Sequence, residues 1–317
     1  MFSKKDECIN GRNAVVLEGL GDLSLVDTME CGQCFRYLKL EEKDGYIEYM
    51  TVTQGRLIFV GQRKRGELIF YGMSDEDVLE ICVPYFSLSV DFAAVKDGII
   101  KGTEHTFLKE AAESASGINI LAQDPWETLF SFIVSQNNNI PRIRGIIRKI
   151  CAEYGENLAV SEELEYCPLA RSEGREEKCC PERCRECGMC YSFPSAEDIL
   201  ARPEGLLPSH PGFRYRYLCD AAKRVHSREV DLDKIKAMKS YDYTMSQLSK
   251  IVGVGDKVAS CVALFGFSNF EAFPIDVWMK RAIDTYFDGK LDPKELGEYA
   301  GVAQQYIFHY IRQITEK

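Results

Sequence analysis

Apolar and polar positions change their period near residue 105. Between residue 14 and about residue 72 the apolar residues come in short runs. Tyr46-Ile47-Glu48-Tyr49-Met50-Thr51-Val52 partly alternates, and the turn signals Asp44-Gly45 and Gln54-Gly55 flank it. Short antiparallel strands are expected there. Ser74 starts a helix that runs to about Tyr85. From about residue 105 onward the pattern is helical. Asp124-Pro125-Trp126-Glu127 combines an N-cap, a proline at N1 and a glutamate at N3, and it opens an apolar helix over 125–134. The expected fold is α+β, with an N-terminal antiparallel lobe over 1–104 and a helical region over 105–317. No internal repeat is visible.

Composition narrows this picture. A chain of 317 residues suggests two or so domains with a sizeable core. It is 45% hydrophobic and 28% charged, as in ordinary soluble globular proteins. The net charge of −10 argues against a generic polyanion binder, but the local field at a cleft outweighs the total. Arg142, Arg144, Arg148 and Lys149 form one basic group; Arg214, Arg216, Lys223 and Arg224 form another. Met1-Phe2-Ser3-Lys4-Lys5-Asp6 lacks the apolar core of a secretion signal, and no apolar run approaches the 18 or so residues of a membrane span. The expectation is an intracellular monomer with reduced thiols, in the cytoplasm or nucleoid of a bacterium or the nucleus of a eukaryote.

Chemistry concentrates around Lys257. Gly253-Val254-Gly255 reads as a tight turn between helices, and the following helix starts near Asp256. Backbone N–H groups and a helix N-terminus suit one phosphate and read no sequence. A helix–loop–helix corner is the ordinary alternative. Lys257 precedes Val258, Ala259, Cys261, Val262, Ala263, Leu264 and Phe265. An amine at the edge of an apolar helix is placed for desolvation, and a neutral amine can attack a sugar C1′ to form a Schiff base. A solvated lysine touching phosphate is the bland alternative. Asp276, after Phe273-Pro274-Ile275, suits an N-cap, and its carboxylate would also stabilise positive charge on a sugar. Together these features point to a DNA glycosylase that also cleaves the abasic strand.

The Lys257 and Asp276 segments resemble the helix-hairpin-helix glycosylase superfamily. Further matches resemble the 8-oxoguanine DNA glycosylases of the human type within it. They are Gly32-Gln33-Cys34-Phe35-Arg36, Gln123-Asp124-Pro125 with Leu129-Phe130-Ser131-Phe132-Ile133, Ser135-Gln136-Asn137-Asn138-Asn139-Ile140, Gly212-Phe213-Arg214-Tyr215-Arg216-Tyr217 and Tyr299-Ala300-Gly301-Val302-Ala303-Gln304. The resemblance runs from about residue 12 to about 310 with one insertion. It implies a TBP-like sheet lobe, a helix-hairpin-helix domain, and a cleft for duplex DNA that contains 8-oxoguanine.

The resemblance also implies roles. Lys257 would be the nucleophile and Asp276 the catalytic carboxylate. The carbonyl of Gly32 would accept the N7–H that 8-oxoguanine has and guanine lacks. Gln304 would bind the Watson–Crick edge of the flipped base, and Phe308 and Cys261 would sandwich its ring. Asn137 would fill the vacated space, Arg142 and Arg214 would read the orphaned cytosine, and Phe213 would be the wedge. Gly253 and Gly255 would carry the phosphate contact. Two positions depart from the family pattern. Phe213 stands where the human type has tyrosine, and Trp278 stands where the family has a phosphate-binding histidine. A related glycosylase for another damaged or mismatched base would keep Lys257 or Asp276 but not the Gly32, Gln304 and Phe308 set. Gln304 as surface, Phe308 as core and Asn137-Asn138-Asn139 as helix capping are the structural alternatives. No cofactor is expected for catalysis.

The insertion, 167–190, holds six of the thirteen cysteines. Cys184, Cys187 and Cys190 form C-x-x-C-x-x-C, and Cys180 or Cys167 would complete four ligands. Thiols at this density in a reducing compartment suggest structural zinc or an iron–sulfur cluster. A flexible, unliganded loop is the alternative.

Overall fold

The computed structural model describes residues 2–161, 166–175, 177–178 and 188–315. Six strands lie in the first part of the chain: β1 (Ser3–Ile9), β2 (Arg12–Glu18), β3 (Tyr37–Lys43), β4 (Tyr46–Thr53), β5 (Arg56–Gln62) and β6 (Glu67–Tyr71). They make one antiparallel sheet in the order β1-β2-β6-β5-β4-β3. Asn10-Gly11, Asp44-Gly45 and Gln54-Gly55 each place two successive residues at positive φ. That is the two-residue turn whose twist matches the flanking strands, and it sets the register of three hairpins.

The sheet starts earlier than its apolar pattern suggests. β1 is a charged edge strand, Ser-Lys-Lys-Asp-Glu-Cys-Ile, and most of it is exposed. Main-chain pairing to β2 makes it a strand, and hydrophobic alternation does not announce it. Its charges pair across the sheet, Lys5 to Glu18 at 3.2 Å and Glu7 to Arg63 at 3.0 Å, and a charged edge resists pairing with further strands. Two further helices, Leu25–Glu30 and Phe92–Gly102, lie within the lobe, each started by a side-chain cap, Ser24 and Asp91. The expected helix after Ser74 is present but distorted. Ser74 caps it by accepting from the Asp77 N–H at 3.1 Å, and a π turn over Val78–Cys82 leads into Val83–Tyr85. Pro84, which has no N–H to donate, is the local cause of the irregularity.

Both faces of the sheet are covered. Leu17, Tyr49, Ile58, Val60 and Phe70 pack on Val78, Cys82, Tyr85 and Phe86. Positions of opposite parity, Leu38, Leu40, Met50, Val52 and Leu57, belong to the same core as Phe130, Ile133, Val134 and Ile147 of the helical region. The sheet and the helices therefore share one core. The helix Pro125–Ser135 packs on Asp256–Phe267, and the last helix, Ala300–Thr315, packs on Thr106–Ser114. Among the described residues, no helix is long and apolar enough to cross a membrane.

Candidate active site

The hairpin joins Tyr241–Leu248 to Asp256–Phe267. Its two glycines do different work. Gly253 has φ +84°, and a Cβ there would lie 2.5 Å from the Tyr217 ring. Conformation and packing both demand glycine. Val254 is buried beneath the turn and donates its N–H to Ile251 at 3.0 Å. Gly255 has extended backbone and is exposed, with open space where a Cβ would be. Packing does not require that glycine, and its absent side chain leaves the helix N-terminus open to an anion.

Lys257 lies in the first turn of this helix and is half-buried, with Nζ 5.2 Å from the centroid of the Phe132 ring. One turn on, Cys261 is buried, and burial pushes its thiol up to about 11 although the lysine beside it pulls the other way. Cys261 is therefore a neutral, polarizable surface at neutral pH. Asp276 is the N-cap of Val277–Tyr286, where its Oδ1 accepts from the Met279 N–H at 2.9 Å. The cap fixes where the carboxylate stands.

Both residues open onto one cavity of about 400 Å³, and Gly32, Cys261, Gln304 and Phe308 line it too. All six positions expected for catalysis and base binding thus meet in one place. The volume falls in the range of small-ligand cavities, about 300–1,000 Å³. Gln304 is 4% exposed, and its Oε1 has no hydrogen-bond partner among the described residues. An unpaired buried acceptor costs about 1–3 kcal/mol, and a donor entering the cavity would recover that cost. Gly32 has φ +89°, and a Cβ there would sit 3.3 Å from the Phe308 ring. The loop backbone therefore faces the cavity wall with no side chain of its own in between.

The other matched segments are the joints of this cavity. Gln33 is fully buried; its Nε2 donates to the Thr28 and Asn119 carbonyls at 2.8 Å each, and its Oε1 accepts from the Leu121 N–H at 2.8 Å. Gln123 Nε2 donates to the Gln33 carbonyl at 2.7 Å, and its own N–H donates to Phe265 at 2.8 Å. Arg36 pairs with Glu127 at 3.0 Å and also donates to the Tyr191 carbonyl. Burial raises the Glu127 carboxyl while the Arg36 guanidinium opposes that shift. The lobe and the helical region thus interlock behind the cavity. Asn138 and Trp278 also line it, and so do Gln305 and Arg312, which had not been singled out. The four-residue spacing of Gln304, Phe308 and Arg312 on one helix was the available signal for Arg312. Trp278 is half-buried, with the Arg281 guanidinium 5.0 Å from its ring.

All six expected DNA-contacting residues lie outside the cavity, the hairpin glycines Gly253 and Gly255 among them. Phe213, on the 3₁₀ turn Gly212–Arg214, is 49% exposed and edge-on to Tyr217 with centroids 5.9 Å apart. Arg142 and Asn137 are exposed, and Asn137 takes φ +46° in the turn that Asn139 closes by capping Ile140–Tyr154. Arg214 faces inward. It is 3% exposed and donates to the carbonyls of Gln136, of Asn137 at 2.9 Å and of Pro211 at 3.2 Å. Burial, and then the nearby Arg142 charge, lower its pKa. Of the expected metal ligands, Cys180, Cys184 and Cys187 lie outside the described residues. Cys167 and Cys190 are buried, and no group of three metal-binding side chains occurs among the described residues.

A sheet lobe interlocked with a helical region, a glycine hairpin ahead of a lysine, and an aspartate on the same cavity define a helix-hairpin-helix DNA glycosylase. Comparison with known proteins agrees. The family model for the 8-oxoguanine DNA glycosylase N-terminal domain matches residues 15–129. The N-glycosylase/DNA lyase of Saccharomyces cerevisiae is 28% identical over 279 residues, covering 82% of this chain and 67% of the yeast protein. MBOgg1, solved with a low-affinity DNA ligand, is 32% identical with a TM-score of 0.81, covering 99% of each chain. The Clostridium acetobutylicum 8-oxoguanine glycosylase/lyase, solved on double-stranded DNA with cytosine opposite 8-oxoguanine, is 27% identical with a TM-score of 0.78, covering 99% of this chain and 98% of that one. The chain belongs to the 8-oxoguanine DNA glycosylase family.

Proposed function

We propose that the protein excises 8-oxoguanine opposite cytosine from double-stranded DNA and then cleaves the abasic strand, acting as a monomer. The observation that carries this reading is the unpaired, buried Gln304 Oε1 in a cavity shared with Lys257 and Asp276. Oε1 accepts from the N1–H or N2–H of a guanine-type edge, and the Gly32 carbonyl accepts the N7–H that only the oxidised base has. Phe308 and the neutral Cys261 thiol take the two ring faces. Extrusion costs a few kcal/mol of stacking and pairing. The exposed Phe213 as wedge and Asn137 as plug offset part of that cost, and Arg142 and Arg214 read the cytosine left behind. Gly253 and Gly255 hold a phosphate at the hairpin.

In the reaction, the Lys257 amine forms a bond to C1′ through its nitrogen lone pair while the C1′–N9 bond breaks. The base leaves with the bonding pair and takes up a proton. Asp276 stabilises the positive charge that builds on the sugar and accepts a proton from the attacking nitrogen. Ring opening gives a Schiff base; loss of a C2′ proton then expels the 3′-phosphate. Borohydride applied to the enzyme on an 8-oxoguanine·cytosine duplex will trap a covalent adduct, and Lys257→Gln will abolish it. An adduct that persists in that variant overturns the assignment.

The Cys-rich insertion supports a separate proposal, a structural zinc or iron–sulfur site built from four of Cys167, Cys180, Cys184, Cys187 and Cys190. The C-x-x-C-x-x-C spacing is its support. Metal analysis and a visible spectrum of anaerobically purified protein test it; folded, metal-free protein overturns it. A DNA repair enzyme works where the DNA is, so the proposed compartment is the cytoplasm or nucleoid of a bacterium or the nucleus of a eukaryote.

A further inference from the structure

The Gly32 loop is held by the carbonyls on either side of the glycine. Cys31 is fully buried, and its carbonyl accepts from Gln305 Nε2 at 3.2 Å. The Gln33 carbonyl accepts from Gln123 Nε2 at 2.7 Å. Gln305 is 2% exposed and directly follows Gln304 on the last helix; Phe308 comes one turn later. One helix therefore supplies the group that binds the base edge, the ring that covers the base and the donor that anchors the loop. Gly32 has no side chain, so only the tilt of its backbone aims its carbonyl. A glycine at positive φ has neighbouring conformations open to it, and two flanking amides restrict them.

We infer that Gln305 is a positioning residue for lesion discrimination. By pinning the Cys31 carbonyl, it holds the Gly32 carbonyl at a set distance from Gln304. A purine that fits both must then carry a donor at N7. Gln123 does the same from the other side, so the filter is a clamp formed between the lobe and the helical region. The inference rests on the proposed role of the Gly32 carbonyl. It places the preference for the oxidised base partly in a residue that need not touch it.

The test uses the full chain in a Lys257→Gln background, so that DNA is bound but not processed. Affinities are measured for three duplexes that differ only at one site opposite cytosine: 8-oxoguanine, guanine and a tetrahydrofuran abasic analogue. Gln305→Met keeps the volume and removes the donor. The expected result is a fall of about tenfold in the 8-oxoguanine-to-guanine affinity ratio, the size of one lost buried hydrogen bond, with abasic-analogue binding within about twofold. Gln123→Met is expected to lower the same ratio by an independent route, which keeps the test available if Gln305→Met does not fold. An unchanged ratio in the folded variants overturns the inference, as does an equal loss on all three duplexes, which marks a merely structural role. If the Lys257→Gln parent itself shows no preference for 8-oxoguanine, the proposed function has failed rather than the clamp.

Discussion

The cavity proposed to hold the lesion and the surface proposed to face the opposite strand are built on different terms. In the cavity the recognition groups already stand in place: the Gly32 loop is bonded on both sides, Asp276 is fixed by its cap, and Gln304 is buried with a free acceptor. On the surface, Phe213 is half out in solvent, Arg142 is exposed, and Arg214 is folded onto the carbonyls of Gln136 and Asn137. Preorganised groups cost nothing to order when the ligand arrives, whereas an arginine released from three carbonyls must recover that loss from the new contact. On the proposed roles, lesion choice is written into the free protein, and reading of the opposite base calls for rearrangement of the 136–137 turn.

The sharpest break of this contrast is at Asp276. Asparagine caps a helix as well as aspartate, so Asp276→Asn will leave the melting temperature nearly unchanged. Single-turnover excision will fall by about 10²–10³-fold, the usual scale for losing an electrostatic group aimed at developing charge. A parallel loss of stability would show that capping is the whole role of the side chain.

The surface yields a different signature. Arg214→Ala removes the donor shared by the Gln136 and Asn137 carbonyls, so it will loosen the turn and lower binding to a cytosine-opposed lesion by about 10–100-fold. Preference for cytosine over the other three opposite bases will fall with it. Retained preference measured across the four duplexes would take Arg214 out of base reading and leave it as a brace. In the cavity, Gln304→Met will show stability and function moving in opposite directions. Replacing an unpaired buried amide by an apolar side chain of similar shape will raise stability by up to about 1 kcal/mol, while 8-oxoguanine binding weakens about tenfold. Denaturant melts beside affinity measurements read both.

The smallest effect concerns pH. His309, next to Phe308, has its pKa lowered from 6.5, first by burial, with Asp27 at 3.7 Å opposing and Arg312 adding to the shift. The unfolded chain then binds a proton that the folded chain refuses. Stability is fully present above 6.5 and falls as pH drops below it. His309→Asn will flatten the part of the stability-against-pH profile that His309 contributes; an unaltered slope below 6.5 would assign the effect to another group.

Legibility differed between these regions for physical reasons. The hairpin turns, the caps at Ser74, Asp124 and Asp276, and the helix carrying Lys257 were readable because each depends on a few adjacent residues with strong local preferences. Strand β1 was not, since a charged edge strand is held by its neighbour's backbone and needs no apolar face. Lys257 and Asp276 were nameable from their local setting, but the base-pocket residues only through resemblance, because Gly32, Cys261 and Gln304 are far apart in the chain and their spacing carries no signal of contact. The contacts of Gln305 and Gln123 and the inward turn of Arg214 were not readable at all; each depends on which carbonyl a side chain meets after folding.

What this sequence determines by itself is a set of local elements and a list of chemically suited residues, since φ preference, capping and hydrophobic period act over a few positions. Only the tertiary structure decided that these residues line one cavity, that Gln304 keeps its acceptor unpaired there, and that Gly253 must yield to the Tyr217 ring while Gly255 stands open. Burial and hydrogen-bond partnership are properties of the assembled core, where segments hundreds of residues apart fill each other's space.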